Sequence, residues 1–366
     1  MSEPGDSRSL SPDVSACSLL TDPGQAATLS QREWNELVPT LREHGLLARA
    51  ACRLRAQALL GCVPRETLRH FEAASALCDQ HALSVHWELE RVESCLGGAG
   101  IPYMLLKGAA YLKAGMKAGE GRMFSDMDIL VRRSDLRAAE WVLAEHGWRP
   151  KQLNPYDERY YREWMHQVPP LAHVLRGSAI DLHHAIVPPT SRLAFSTEEV
   201  FDLGWPLAGS RHALLPDHRD LVLHSAVHAF FEEDFTSALR DLSDIDSLVR
   251  ELSEDDGFAL ALHERSRALG LERPLSLALA LAHHFFGTPL EDSLKSRLPK
   301  ARNSLTLHLL KAALDPGRPL EPRKRRQAAR ALLYVRGHYL KMPLRLLAPH
   351  LTRKLLHREE TETEKA

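Results

Sequence analysis

Apolar positions recur at helical spacing through the first part of the chain. Trp34, Leu37 and Leu41 share one face of a predicted helix, and a longer periodic stretch follows that starts at a proline and stops at a glycine pair. Proline is common at the first position of a helix and glycine just past its end. We therefore predict a helical N-terminal region over residues 26–98, after a disordered lead over residues 1–25 that is rich in Ser, Pro, Gly and Asp.

Short apolar runs then replace this periodicity. Residues 101–106 and 127–131 are typical of buried strands, and residues 171–175 and 179–183 flank an Arg-Gly-Ser turn, as the two strands of a hairpin would. Helical stretches separate these runs. The segment 99–187 is therefore predicted to be an α/β domain with a small mixed sheet.

Helical periodicity returns in the second half of the chain. We predict a helical bundle over residues 188–322, followed by basic C-terminal helices and a tail over residues 323–366. Gly337, Pro343 and Pro349 are expected to divide this last segment into short helices. The predicted fold class is therefore α+β, a small mixed-sheet core flanked by a helical N-terminal region and a C-terminal helical bundle.

The charge is balanced over the whole chain but not along it. Of its 366 residues, 47 are Lys or Arg and 48 are Asp or Glu, so it is not a polycation that coats nucleic acid by charge alone. Eleven of the basic residues lie between Arg323 and Arg358, a stretch without Asp or Glu. This basic segment is predicted to contact an anionic partner, either RNA or a membrane surface. The alternatives are contact with the acidic body of the protein and a solvated surface.

The cysteines and the hydropathy pattern favour a cytoplasmic protein. No cysteine pair has the spacing of a metal or redox motif, the total is odd, and buried thiols are expected. The polar start of the chain does not resemble a secretory signal, and no run of about 20 apolar residues predicts a transmembrane segment. The five cysteines are Cys17, Cys52, Cys62, Cys78 and Cys95.

The residues with candidate chemistry lie in the α/β segment. Asp126 and Asp128 begin a predicted strand, and because side chains alternate along a strand, both carboxylates project on the same side. Two such carboxylates repel unless a cation lies between them, and carboxylate oxygens suit Mg²⁺. Upstream, Lys107-Gly108 forms a strand-to-helix turn where a phosphate can approach the backbone. Asp181, on a later strand, is a third carboxylate that can complete a two-metal site.

Each of these carboxylates has a structural alternative. Asp126 follows a serine and is also suited to a turn before a strand, and Asp181 is also suited to an exposed edge strand. His224 and His228 lie four residues apart on one helical face, but without a zinc motif they are expected to pack between helices or to line a cleft.

A further acidic group lies in the predicted bundle. It is interpreted as a solvated or helix-start face and consists of Asp241, Asp244 and Asp246.

Taken together, these segments resemble the DNA polymerase beta-like nucleotidyltransferase superfamily, and more narrowly a bacterial family of uncharacterised nucleotidyltransferases. The resemblance covers about residues 99–250 and rests on LLKGAAYLKAG, GRMFSDMDILV, AIDLHH, LVLHSAVHAF and LRDLSDID in that order. It implies that residues 99–187 form the nucleotidyltransferase domain. Where better-known enzymes of the superfamily have Gly followed by Ser, this chain has Lys107-Gly108-Ala109.

The resemblance implies a reaction and its catalytic residues. Asp126, Asp128 and Asp181 would hold two Mg²⁺ ions, with Mn²⁺ as the alternative ion, on a nucleoside triphosphate that is expected to be ATP. Asp181 would also help to deprotonate an unidentified acceptor hydroxyl, which attacks the α-phosphorus and expels pyrophosphate.

The nucleotide contacts follow from the same resemblance. Gly108 would let the triphosphate approach, and Lys107 and Arg122 would offset its charge. Arg122 is also suited to be a structural anchor of its loop. The alternative to an active enzyme is a catalytically silent module of the same fold that binds a nucleotide or a protein partner. A third interpretation is an RNA-modifying adaptor that uses the basic segment.

Overall fold

The computed structural model of the protein describes residues 15–150, 154–193, 195–231, 237–299, 304–316 and 324–341. Helices form the N-terminal part, where an N-cap serine and a glutamate three positions later make a capping box that begins α2. The fourth helix ends in a π-helical turn at Glu93–Gly97. These first helices are α1 (Ala16–Thr21), α2 (Gln31–Glu43), α3 (Leu47–Ala56) and α4 (Arg65–Val92).

A seven-stranded mixed sheet forms the centre of the described molecule, with the strand order β3-β4-β5-β2-β1-β7-β6. The inner strands β1 and β2 are buried along almost their whole length, which agrees with their near-continuous apolar sequence. The strands are β1 (Tyr103–Leu105), β2 (Asp126–Val131), β3 (Trp148–Pro150), β4 (Leu171–His173), β5 (Ala179–His183), β6 (Trp205–Pro206) and β7 (Ala213–Leu215).

The register between β2 and β5 determines which side chains meet. These two strands are parallel, and Asp128 lies directly opposite Asp181. Strand β1 is antiparallel to β2 on its other side, so β2 is enclosed between two strands. Strands β4 and β5 are antiparallel, which confirms the predicted hairpin.

The remaining helices connect the strands and form the C-terminal half. Between the strands lie α5 (Lys107–Lys113), α6 (Leu136–Glu145), α7 (Pro155–Arg159) and α8 (Thr197–Leu203), and a π-helical turn at Tyr160–Trp164 follows α7. The C-terminal helices are α9 (His218–Phe231), α10 (Ala238–Leu252), α11 (Phe258–Ala268), α12 (Glu272–Phe286), α13 (Asp292–Arg297), α14 (Leu305–Leu314) and α15 (Lys324–Lys341). The α+β prediction with helical flanks is therefore confirmed.

Three features of the secondary structure differ from the sequence-based expectations. The sheet continues past residue 187, because β7 pairs with β1 and β6 pairs with β7. Helix α15 passes through Gly337 without a break, and it buries this glycine together with Leu333. Packing of an amphipathic face outweighs the helix-weakening effect of one glycine. The predicted disordered lead over residues 1–25 is ordered from residue 15 onward, because α1 lies within it and buries Cys17 and Leu19. Residues 1–14, Pro343 and Pro349 lie outside the described residues.

The acidic group on α10 is buried, so its interpretation as a solvated face is wrong. Asp241, Asp244 and Asp246 are 6%, 2% and 0% exposed. The Asp244 carboxylate accepts from Arg49 Nη2 and from Arg122 Nε, each at 2.6 Å. The free-energy cost of burying a carboxylate is offset when guanidinium groups pair with it, and two guanidinium groups pair with Asp244.

Arg49 links three parts of the fold through its guanidinium. It lies on α3, is 1% exposed, and donates to the backbone oxygens of Ala118 at 2.6 Å and Glu120 at 3.2 Å, as well as to Asp244. Those two oxygens belong to the loop between α5 and β2. Gly121 in this loop has φ +66°, and an added Cβ there would meet the Arg49 backbone nitrogen at 2.6 Å. The loop therefore lies directly against α3.

The thiols are only partly as expected. Three of the five cysteines are buried, whereas Cys52 is half-buried and Cys62 is exposed. Across the described part of the chain, none of the helices combines the length and the apolar character that crossing a membrane requires.

We expect Asp244→Ala to lower the free energy of unfolding by about 3–5 kcal/mol, because two buried guanidinium groups lose their partner. Glu254→Ala is the matched control, since its carboxylate is exposed and pairs with Lys117 at 3.5 Å. An exposed pair contributes about 1 kcal/mol or less. Urea unfolding of the two variants and the wild type measures the difference, and equal effects of both substitutions would contradict a structural role for Asp244.

Candidate active site at the edge of the sheet

A cavity of about 480 Å³ opens where β2 and β5 begin. Its walls come from α5, the starts of both strands, the π-helical turn after α7, and parts of α9, α10 and α15. The three predicted carboxylates, the predicted lysine and the predicted arginine all line it: Asp126, Asp128, Asp181, Lys107 and Arg122. The structure thus brings together residues that are up to 74 positions apart in the sequence.

Asp128 and Asp181 are placed side by side by the parallel pairing of β2 and β5. Asp128 is 7% exposed and Asp181 is half-buried. Strand β5 lies between β4 and β2, so the alternative interpretation of Asp181 as an exposed edge residue is wrong. The side-chain amide of Gln167 donates to Asp181 Oδ2 at 2.9 Å and fixes this carboxylate.

The pKa values of these two neighbouring carboxyl groups are shifted in opposite directions. Burial opposes ionisation of Asp128, but the charges of Lys107 and His183 and their hydrogen bonds outweigh it and hold the pKa of this carboxyl well below its usual range. Burial, together with the negative charges of Asp128 and Asp126, raises the pKa of Asp181 to about 7. Without a bound cation, these two carboxyl groups therefore differ in their tendency to ionise.

Lys107 is the cation that contacts these carboxylates. Its Nζ lies 2.7 Å from Asp128 Oδ1, and its side chain is 15% exposed. The residue opens α5 with φ +46°, a left-handed backbone conformation that non-glycine residues seldom adopt. Such backbone strain is concentrated at functional sites, and here it occurs at the residue that reaches the carboxylates.

Gly108 is required by protein packing in this structure. A Cβ at this position would lie 2.6 Å from a ring carbon of Phe124 and would also collide with the Arg122 guanidinium. Arg122 itself is 6% exposed and pairs with Asp244 and Asp241. The geometry therefore favours the structural alternative for Arg122, an anchor of its loop, although its side chain also lines the cavity.

His183 is a site residue that the sequence reasoning did not single out. Its Nε2 lies 3.0 Å from Asp128 Oδ1, and its side chain is 1% exposed. Among the described residues, Asp128, Asp181 and His183 form the one group in which three ligand atoms able to hold a metal ion lie within 4.8 Å of one another. The sequence did contain a pattern that indicates His183, because Asp181 and His183 are two positions apart on one strand and therefore lie on the same face.

Asp126 stands outside that group of ligand atoms and lies where two cavities meet. The second cavity, of about 610 Å³, runs between α4 and the turn that joins β4 to β5. Phe124, Ser125 and Asp126 line both cavities. The Asp126 carboxylate accepts from the Ser125 hydroxyl at 3.1 Å.

Three more histidines surround the site. His166 and His228 line the first cavity, and His224 is buried on the same helix as His228, which fits the expectation for this helix. Burial lowers the pKa of His166 and of His224 well below the usual range, and nearby positive charge, including that of Lys107, acts in the same direction. The imidazoles of His166 and His224 are therefore neutral at pH 7.

An α+β core that presents carboxylates and a lysine at the start of two parallel strands defines a candidate site for phosphate and metal chemistry. A family model described as "Uncharacterised nucleotidyltransferase" matches residues 30–287. This range includes the sheet and all residues that line the first cavity except Lys341 on α15. The chain belongs to this nucleotidyltransferase family. No curated protein and no solved structure matches the chain.

We expect the free energy of unfolding to fall by at least about 1 kcal/mol when the pH is lowered from 7 to 5. Four histidines at or beside the site have lowered pKa values in the folded protein, so below the ordinary histidine pKa of about 6.5 the unfolded chain binds more protons than the folded one. The raised pKa of Asp181 has the opposite effect on the free energy of unfolding, but it is a single group, whereas four histidines contribute to the loss of stability. The four are His166, His183, His184, whose pKa burial lowers to about 4, and His224.

Urea unfolding at the two pH values measures this dependence. His184→Asn removes one of the four groups and should make the loss of stability on acidification smaller. Stability that stays constant or increases between pH 7 and pH 5 would show that these rings are not held neutral.

Proposed function

We propose that the protein transfers a nucleotidyl group from a nucleoside triphosphate to a hydroxyl acceptor at this cavity, with the help of a divalent cation. The observation that carries the proposal is the convergence of Asp126, Asp128 and Asp181 with Lys107 on one cavity of about 480 Å³. The family to which the chain belongs supports a transferase. We take ATP as the first donor to test and a cytoplasmic location as part of the proposal.

The carboxylates fit a divalent cation. Asp128 and Asp181 lie on paired strands, and the raised pKa of Asp181, to about 7, reflects burial and an excess of negative charge that a bound cation would relieve. Asp126, on the same strand as Asp128, lies two residues away and therefore on the same face. Such an ion stabilises the negative charge that develops on the phosphate oxygens in the transition state.

The cations of the protein fit the triphosphate. Lys107 extends into the cavity, and Arg240 on α10 lines it while pairing with Asp241 at 3.0 Å. A lysine attracts phosphate as a point charge, so Lys107 would exchange part of its contact with Asp128 for contact with the nucleotide. Arg122 contributes through the position of its loop, since its guanidinium is paired with Asp244.

Asp181 is the group best suited to take the proton from the acceptor hydroxyl. The pKa of about 7 describes Asp181 beside Asp128 and Asp126 without a bound cation. A cation at this site would lower that pKa, so Asp181 would act as the base in its ionised form. The Gln167 amide donates to its Oδ2, which leaves the other carboxylate oxygen to face the reaction. The acceptor oxygen then attacks the α-phosphorus, and pyrophosphate leaves with the electrons of the broken bond.

The second cavity is the route that we propose for the acceptor. It adjoins the first at Asp126 and is bounded by Ser84 and Trp87 on α4. Within it, Glu88 and Arg176 neutralise each other through hydrogen bonds of 2.7 and 2.8 Å. This wall therefore lacks the unpaired positive charge with which a protein usually holds a nucleic-acid backbone.

One observation favours the alternative of a silent nucleotide-binding module. The Lys107 ammonium contacts the same Asp128 oxygen as His183, so a cation of the protein already compensates one carboxylate. A module of this kind would bind a nucleotide without turnover. The second of the two predictions that follow separates it from an enzyme, because the first measures binding and the second measures turnover.

We expect Mg²⁺ or Mn²⁺ together with ATP to raise the thermal midpoint of the purified protein by several degrees, because a ligand that binds only the folded state stabilises it. The metal-dependent part of the shift should disappear in the Asp126→Asn, Asp128→Asn double variant. Differential scanning calorimetry with each ligand alone and with both measures the shift. An unchanged midpoint of the wild type at millimolar nucleotide would count against the proposal.

We expect Asp128→Ala to lower kcat for nucleotidyl transfer by more than about 100-fold, because charge compensation is lost in the transition state. Lys107→Ala should raise KM more than it lowers kcat, since a phosphate-binding lysine acts in the ground state as well, and Lys107→Arg should retain most of the affinity. Labelled ATP and whichever acceptor becomes labelled give these rates on folded protein. A wild-type kcat in Asp128→Ala would show that the carboxylates are structural.

A further inference from the structure

The group of potential metal ligands that includes Asp128 and Asp181 is not an all-oxygen set. The three ligand atoms that lie within 4.8 Å of one another come from Asp128, Asp181 and His183. Asp126, the acidic residue that the sequence pattern pairs with Asp128, is not part of this group. An imidazole therefore occupies the position expected for a third carboxylate.

The His183 ring is held in one orientation against Asp128. It is 1% exposed, and its Nε2 lies 3.0 Å from Asp128 Oδ1. Its Nδ1 is buried and makes no hydrogen bond within the described part of the chain. A neutral imidazole has one N–H and one lone pair, and the contact with Asp128 uses one of the two. Nδ1 would carry the ring proton when a cation binds, which leaves the lone pair of Nε2, 3.0 Å from Asp128 Oδ1, for that cation.

The chemistry of this donor set discriminates between divalent ions. Mg²⁺ is a hard cation that prefers oxygen ligands and retains several waters. Imidazole nitrogen suits Fe²⁺ and Zn²⁺ better, and the affinity of a site with nitrogen and oxygen ligands increases from Mn²⁺ along most of the first-row divalent series. A nitrogen ligand that replaces an oxygen ligand therefore shifts the preference away from Mg²⁺.

We propose that His183 is a direct nitrogen ligand of the divalent ion at this site, and that the site takes a transition metal such as Mn²⁺ in preference to Mg²⁺. The inference rests on the proposed function, which requires a divalent ion at Asp128 and Asp181. It changes the expectation of Mg²⁺ that followed from the carboxylates alone.

The competing role for His183 is that of a positioning residue. In that role its N–H would orient Asp128, only the carboxylates of Asp128 and Asp181 would bind the ion, and the ring would never contact the metal. An asparagine at position 183 can donate a similar hydrogen bond but is a poor metal ligand. His183→Asn therefore separates the two roles better than an alanine does.

Pulsed EPR of the full chain loaded with Mn²⁺ tests the proposal, because a directly bound imidazole gives a nitrogen hyperfine coupling. We expect this coupling in the wild type and in His184→Asn, and its loss in His183→Asn. His184 is the matched control, since it is the next residue and lies near Arg133 in a different cavity. Isothermal titration with Mn²⁺ and with Mg²⁺ should show that His183→Asn reduces the preference for Mn²⁺ by about tenfold or more.

The outcomes distinguish this inference from the proposed function. If Mn²⁺ binds the wild type without nitrogen coupling, His183 is a positioning residue and the inference is overturned, while the proposed function stands. If coupling persists in His183→Asn, another histidine binds the ion and the inference is again overturned. If neither ion binds the wild type in the presence or absence of ATP, the proposed function fails together with it.

Discussion

The placement of the site depends on the paired carboxylate of Asp244. Its oxygens accept from Arg49 on α3 and Arg122 in the loop before β2, each at 2.6 Å, and both of these ion pairs are almost fully excluded from water. Because a buried charge is costly without a partner, none of the three side chains is stable in this position without the others. The N-terminal helices, the loop and α10 are thus joined into one unit around the sheet.

The reactive groups follow from that arrangement. Arg122 and Phe124 occupy the space beside Gly108, and the neighbouring residue Lys107 begins α5 with a strained backbone. The ammonium of Lys107 then reaches Asp128. The parallel pairing of β2 with β5 adds the remaining carboxylate. A cavity results that is lined by three carboxylates as well as by Lys107, and these groups suit a divalent ion and a triphosphate.

Local patterns predicted the elements that carry the site, but not the contacts between them. The strand of Asp126 and Asp128 and the hairpin that contains Asp181 could be read from period-two alternation and turn residues. The buried partners of Asp244 could not be predicted from the sequence. Arg49 lies nearly 200 positions away, and a charged side chain in a helix normally faces solvent. Strands β6 and β7 are too short to give a periodic signal. The alternation of side chains along the strand could have placed His183 on the same face as Asp181. A histidine that is followed by a second histidine, however, is not a specific motif for a metal ligand.

The central claim is that the carboxylates of Asp128 and Asp181 hold a divalent ion against the phosphates of a nucleotide. A crystal structure of the full chain with Mn²⁺ and a non-hydrolysable ATP analogue, with anomalous diffraction data collected near the manganese edge, tests it most directly. The account predicts an anomalous peak between these two carboxylates, with phosphate oxygens beside it and Lys107 turned toward them. A nucleotide bound elsewhere, or a site without a peak in which Lys107 still pairs with Asp128, would contradict the account.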